Sequence, residues 1–199
     1  MYTVSKNDEP MLKINVNKYK GVSMKKQSGF TLVEISIVVA IAMFSLLGMS
    51  EVNRNIAIEK ANAEADELLI IQSGIQSRYA NQLDFAGANF ASVANNNFIP
   101  ANRIVAGAGV NRWGGSINLV TTTMATANDT VDLTYTQVPS FECTQYIPSV
   151  ERKFYMITIN GVIVKSVGSP INLNSVGTAC NSSQTATIVY RLIHDKYHY

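Results

Sequence analysis

Residues 30–50 read FTLVEISIVVAIAMFSLLGMS, a run of 21 residues in which Glu34 is the sole charge. Coiled as an α-helix, such a run is about 31 Å long, enough to cross a hydrocarbon core of about 30 Å. No small-residue cleavage site of the A-x-A kind closes it, so the segment reads as a retained helix and not as a discarded export peptide. A carboxylate left unpaired in an apolar helix costs about a few kcal/mol or more. Glu34 therefore needs a partner.

Charge is distributed unevenly around this stretch. Residues 1–29 carry Lys6, Lys13, Lys18, Lys20, Lys25 and Lys26 against Asp8 and Glu9, a net +4, while the remainder sums to −2. A basic flank immediately ahead of an apolar helix is the pattern of a segment kept on the cytoplasmic side of a membrane. The total of +2 is too weak to indicate a nucleic-acid partner, and none is expected.

Beyond residue 50 the pattern becomes amphipathic. Ala57, Ala61, Ala65, Leu68, Ile75 and Tyr79 recur near the helical period, and Lys60 and Glu64 stand at the i,i+4 spacing of an ion pair. No proline interrupts residues 30–99, so the two halves are expected to form one helix over residues 30–81, about 75 Å long. Gly48 and Gly74 are its expected points of loosening. A greasy rod of that length gains little in a monomer, whereas a helical assembly can bury it.

Residues 82–115 are rich in Asn, Gly and Ala and read as a connector, with a short helix near 85–94. Within it Trp113 reads as a packing anchor on the head. Strands are expected at 116–121, 130–137, 154–160, 162–167 and 186–193, from their β-branched and aromatic content. Asn160-Gly161 between two of these runs signals a tight hairpin. Pro139 opens a short helix carrying Cys143, and Cys180 lies in the turn-rich stretch before the last strand. If this region lies outside the cytoplasm a disulfide is the natural state of the two cysteines, and a bridge between them would fasten that helix to the final strand. The expected fold class is α+β: a long N-terminal helix, part transmembrane and part amphipathic, packed on a small antiparallel β-sheet head with one disulfide.

Nothing in the sequence composes a catalytic or cofactor site. The histidines, His194 and His198, crowd the C-terminus, and Asp195 beside the first would point to the opposite face of a strand. No nucleophile triad, phosphate loop or metal cluster emerges. Asp129 and Asp132 are too few for a calcium cage and read as solvated loop acids.

The stretch KKQSGFTLVE at residues 25–34, followed by the apolar helix, resembles the prepilin-peptidase site of type IV pilins. The resemblance implies a domain order of leader (1–29), long helix (30–81, with 30–50 spanning the membrane before assembly) and globular head (82–199). It implies cleavage between Gly29 and Phe30, N-methylation of Phe30, and an assembly role for Glu34 opposite the new N-terminal ammonium of a neighbouring subunit. The long leader, and the opening of a head helix by Pro139-Ser140-Phe141-Glu142-Cys143 with Cys180 distal to it, resemble the type IVb branch. Phe30 as first mature residue is a departure, being commoner in the other branch. The implied function is that of a structural pilus subunit for adherence or conjugative cell contact. The implied partners are further copies of the chain in a helical filament, the prepilin peptidase, an assembly ATPase with its inner-membrane platform, an outer-membrane secretin, and a host or recipient cell surface. A minor pilin, a secretion pseudopilin and a membrane-anchored binding protein are the alternatives. The implied location is the bacterial inner membrane with a periplasmic head, then the extracellular pilus.

Glycine at position 29 leaves the backbone open to a protease before Phe30. Gly29→Leu should therefore leave uncut precursor in the membrane, detected by N-terminal sequencing. Normal processing at Phe30 in that variant would overturn the assignment of the cut.

Overall fold

The computed structural model describes residues 31–194, apart from the side chains of residues 44–50. The expected leader over residues 1–29, the expected cut between Gly29 and Phe30, and Asp195 and His198 lie outside the described residues. The chain divides into two compact units, Met1–Ser45 and Leu46–Tyr199. Helix α1 (Leu32–Tyr79) begins in the first and ends in the second.

In the second unit the order is helix α2 (Phe90–Asn95), strands β1 (Ile104–Val105), β2 (Ala108–Val110), β3 (Ser116–Thr122) and β4 (Thr130–Pro139), and helix α3 (Ser140–Val150). Strands β5 (Met156–Ile159) and β6 (Val162–Lys165), helix α4 (Leu173–Cys180) and strand β7 (Thr185–Ile193) follow. The strands form one antiparallel sheet in the order β1-β2-β3-β4-β7-β5-β6, so the last strand is inserted at its middle. Alternation decides the faces. Val131, Leu133 and Tyr135 of β4 and Ile188, Tyr190 and Leu192 of β7 point into the core, where they join the Ala61, Ala65, Leu68, Ile71, Ile75 and Tyr79 stripe of α1. On the other face Asp132 lies opposite Arg191 and takes both arms of its guanidinium at 2.6 Å.

Two turns place the strands. Asn160 and Gly161 have φ of 49° and 82°, the left-handed pair of a two-residue hairpin, as the sequence signalled. The hairpin of β1 and β2 falls inside the stretch expected to be loop. Its turn places Ala106 at φ 50°, a conformation alanine rarely takes, so composition alone hides it. α1 runs unbroken through Gly74, where an added Cβ would come within 2.5 Å of the Phe98 ring. That glycine gives the connector its seat on the helix.

The Cys143–Cys180 disulfide is present and fully buried, closing a separation of 37 residues. It joins α3 to α4 and not to the final strand, because Cys180 ends a helix that the turn-rich composition of 168–182 concealed. On the chain-entropy account such a loop closure is worth about 4 kcal/mol.

Asp129 corrects another expectation: it is buried, not solvated. Its carboxylate accepts the backbone N–H groups of Met124, Ala125 and Thr126 at 2.7–2.8 Å and so organises the β3–β4 turn. Burial pushes this carboxyl up, but the backbone N–H donors outweigh it and hold it below its ordinary value. A folded value below the unfolded one means that Asp129 stabilises the fold at neutral pH. That stability starts to fade as pH drops past the ordinary aspartate value, about 4, and is gone below the folded value. Asp129→Asn should cost about 1–3 kcal/mol at neutral pH and flatten the acid limb of the stability–pH curve followed by thermal unfolding. An unchanged acid limb would show that other groups carry it.

Candidate assembly site

A helix begins with backbone N–H groups that lack acceptors, and a short polar side chain ahead of it can supply one. Thr31 precedes α1 and Glu34 stands three residues on, the S/T-x-x-E spacing of a reciprocal capping box. The Thr31 N–H and hydroxyl both donate to Glu34 Oε2, at 2.8 and 3.1 Å, and the Glu34 N–H faces Thr31 Oγ1 at 3.4 Å. The sole carboxylate of the apolar stretch is thus turned back toward the helix start, where the helix dipole favours negative charge. The sequence reading assigned Glu34 a partner on a neighbour but missed this internal role, although TLVE ahead of an apolar run carried the signal.

Behind the box, every described side chain of residues 31–43 is exposed. Leu32, Val33, Ile35, Ile37, Val38, Val39, Ile41 and Met43 are between 47% and 86% accessible and occupy all sides of the helix. A helix apolar all round is stable only when something else covers it. Among the described residues no helix is long and apolar enough to cross a membrane; the expected span of residues 30–50 reaches beyond them at Phe30 and at the side chains of 44–50.

In the head, α1 is held by charge as well as by its apolar stripe. Glu64 and Glu67, one helical turn apart, face Arg103 and Arg112 of the connector. Arg103 bridges Glu64 Oε2 at 2.5 Å and Glu67 Oε2 at 3.0 Å, and Arg112 pairs with both acids while its backbone N–H donates to Glu64 Oε2 at 3.1 Å. Glu64 is fully buried, and its Oε1 has no hydrogen-bond partner. Burial accordingly raises its carboxyl above the ordinary range, against the pull of Arg103 and of the Arg112 N–H. The expected Lys60–Glu64 pair is replaced by this cluster: Lys60 stays exposed while the connector closes over Glu64. Trp113, next to Arg112, stacks on Tyr146 with ring centroids 5.9 Å apart, the packing role read from the sequence. A guanidinium of Arg54 lies 5.9 Å over the ring of Phe141, a further tie between α1 and α3.

Arg103→Ala strips a buried carboxylate of its main partner and should cost about 3–5 kcal/mol. Chemical denaturation measures the loss, and amide exchange should quicken across residues 96–113. Stability within error of the parent would refute the charge cluster as the connector's anchor.

The fold, though not the particular side chains, is shared with solved structures of low sequence identity. The fold is similar to TcpA, a type IV pilin from Vibrio cholerae El Tor biotype, with a TM-score of 0.54, 15% identity, and coverage of 67% of this chain and 99% of that one. It is also similar to a type IV b pilin from Salmonella typhi, with a TM-score of 0.53, 16% identity, and coverage of 65% and 97%. No curated protein matches the chain significantly. A family model described as PilS N terminal matches residues 58–192, and a model of the prokaryotic N-terminal methylation motif matches residues 24–50, the stretch containing Gly29, Phe30 and Glu34. The chain therefore belongs to the PilS family of type IV pilins, bears the N-terminal methylation motif ahead of its head, and has the fold of a type IVb pilin.

Proposed function

We propose that this pilus subunit is the major structural subunit of a type IV pilus, polymerised through its N-terminal helix into an extracellular filament that serves adherence or conjugative contact. The single observation that carries the reading is the bare apolar start of α1, with eight large aliphatic side chains exposed around one carboxylate. Before assembly a bilayer covers those side chains, with the head in the periplasm; after assembly, the equivalent helices of other copies cover them. Prepilin peptidase cuts between Gly29 and Phe30 and the new N-terminus is methylated. The ammonium so created on Phe30 meets Glu34 of an adjacent copy, which offsets the cost of a carboxylate in an apolar bundle. An assembly ATPase with its membrane platform drives extraction, and a secretin passes the fibre outward. Pilin family and fold are structural in kind, and the compact head favours a shaft subunit over a tip-forming one.

Glu34→Gln separates the two roles of that side chain. Glutamine can still cap α1, since a capping box accepts either residue at that position, but it brings no charge. The variant should insert in the membrane with unchanged helix content and lose most of its fibres, about tenfold or more in sheared yield. Wild-type piliation would remove the charge-pairing role. In fibres sheared from wild-type cells, intact mass and N-terminal analysis should identify the dominant component as this chain from Phe30 onward, N-methylated. Finding the chain only in trace amounts would assign it to a minor subunit.

A further inference from the structure

The Asn160-Gly161 hairpin has chemistry as well as geometry. An asparagine followed by glycine is the dipeptide most prone to lose its side-chain amide, because a glycine nitrogen is unhindered. The Gly161 nitrogen attacks Asn160 Cγ, a C–N bond forms, the Cγ–Nδ2 bond breaks, and ammonia leaves with the proton from the Gly161 N–H. Water then opens the succinimide at either carbonyl to give aspartate or isoaspartate. No oxidant or cofactor is needed.

In the folded head this side chain is fully engaged. Oδ1 accepts the backbone N–H of Thr187 at 2.8 Å, and Nδ2 donates to the Ala179 carbonyl and to Ser182 Oγ, each at 3.0 Å. The partners settle which atom is which, since an N–H donor requires the oxygen and a carbonyl requires the nitrogen. Its backbone N–H is also bound, to Thr187 O at 2.8 Å. Bringing Cγ against the Gly161 nitrogen means turning the amide out of all three side-chain bonds. Two of the three acceptors and donors, Ala179 and Ser182, flank Cys180 at the end of α4, which the disulfide holds to α3.

We propose that Asn160 is a conditional modification site: shielded from deamidation while the Cys143–Cys180 bridge holds the end of α4, and converted to aspartate or isoaspartate in subunits that lack the bridge. The conversion is one-way. A carboxylate at residue 160 cannot donate to the Ala179 carbonyl, and isoaspartate lengthens the backbone of a two-residue turn. Subunits left without their staple would thus acquire a permanent defect in the hairpin, while stapled ones would not.

The test uses detergent-purified pilin held at mildly alkaline pH, sampled over time by tryptic mapping. Cleavage after Lys153 and Lys165 yields residues 154–165 as one peptide, FYMITINGVIVK, in which Asn, Asp and isoaspartate forms separate. A synthetic peptide of that sequence supplies the unshielded rate. Oxidised pilin should convert more than about tenfold slower than the peptide, given three hydrogen bonds each worth roughly a few-fold in the open population. The C143S/C180S pilin should approach the peptide's rate. Because that variant can fail to fold, Ser182→Ala with its bridge intact carries the decision: about a threefold faster conversion supports the cradle. Conversion of oxidised pilin at the peptide's rate, of folded C143S/C180S pilin at the oxidised parent's rate, or of Ser182→Ala at the rate of the parent, would overturn the proposal.

Discussion

An α-helix satisfies its own backbone but cannot hide its own side chains, and α1 meets that constraint differently along its length. Over residues 61–79 the apolar groups are gathered into one stripe, and the sheet covers it. Over residues 32–43 they are spread around the whole circumference and are exposed. A bilayer first and other copies later are the two environments that suit such a surface. The proposed assembly role starts from this exposed apolar surface.

The head half of α1 is positioned by polar groups that are expensive to misplace. Glu64 is buried with two guanidiniums against it, and a carboxylate in that state is tolerated only while its partners stay. The cluster sits where the connector crosses the helix, and the close approach of Phe98 to Gly74 fixes the same connector nearer the helix end. Charge and shape therefore agree on one path for a segment whose composition suggests none. The disulfide adds a covalent tie between α3 and α4, beside the buried Tyr146, Ile147 and Val150 of the one and Val176 of the other.

Much of this was legible from residue order. The long strands and the Asn160-Gly161 hairpin follow from short-range patterns, since residue type and turn chemistry are local properties, and the Cys143–Cys180 pairing is legible because the chain has two cysteines. The misreadings share a cause. Asp129 read as a solvated loop acid because nothing nearby in sequence reveals three backbone N–H groups folding back onto it. Lys60 read as the partner of Glu64 because i,i+4 spacing is visible, whereas Arg103 lies 39 residues away. Strands β1 and β2 stayed hidden behind an alanine in a left-handed turn, and α4 behind its Asn174, Ser175 and Gly177. The capping box was different: its signal was present, and was overshadowed by the assembly role that the resemblance implies for the same glutamate.

What the sequence by itself determined is the division of labour along the chain. Hydropathy and charge order need no tertiary context, so the basic N-terminal segment, the apolar helix with one carboxylate, and the stripe facing a β-rich head are set by residue order in one dimension. Which acids are buried, which cation each one meets, how the connector crosses α1, and why Asn160 is held still were decided by tertiary structure alone. The physical reason is desolvation: a polar side chain changes its preferred partner when water is removed, and only the folded chain states which groups have lost it.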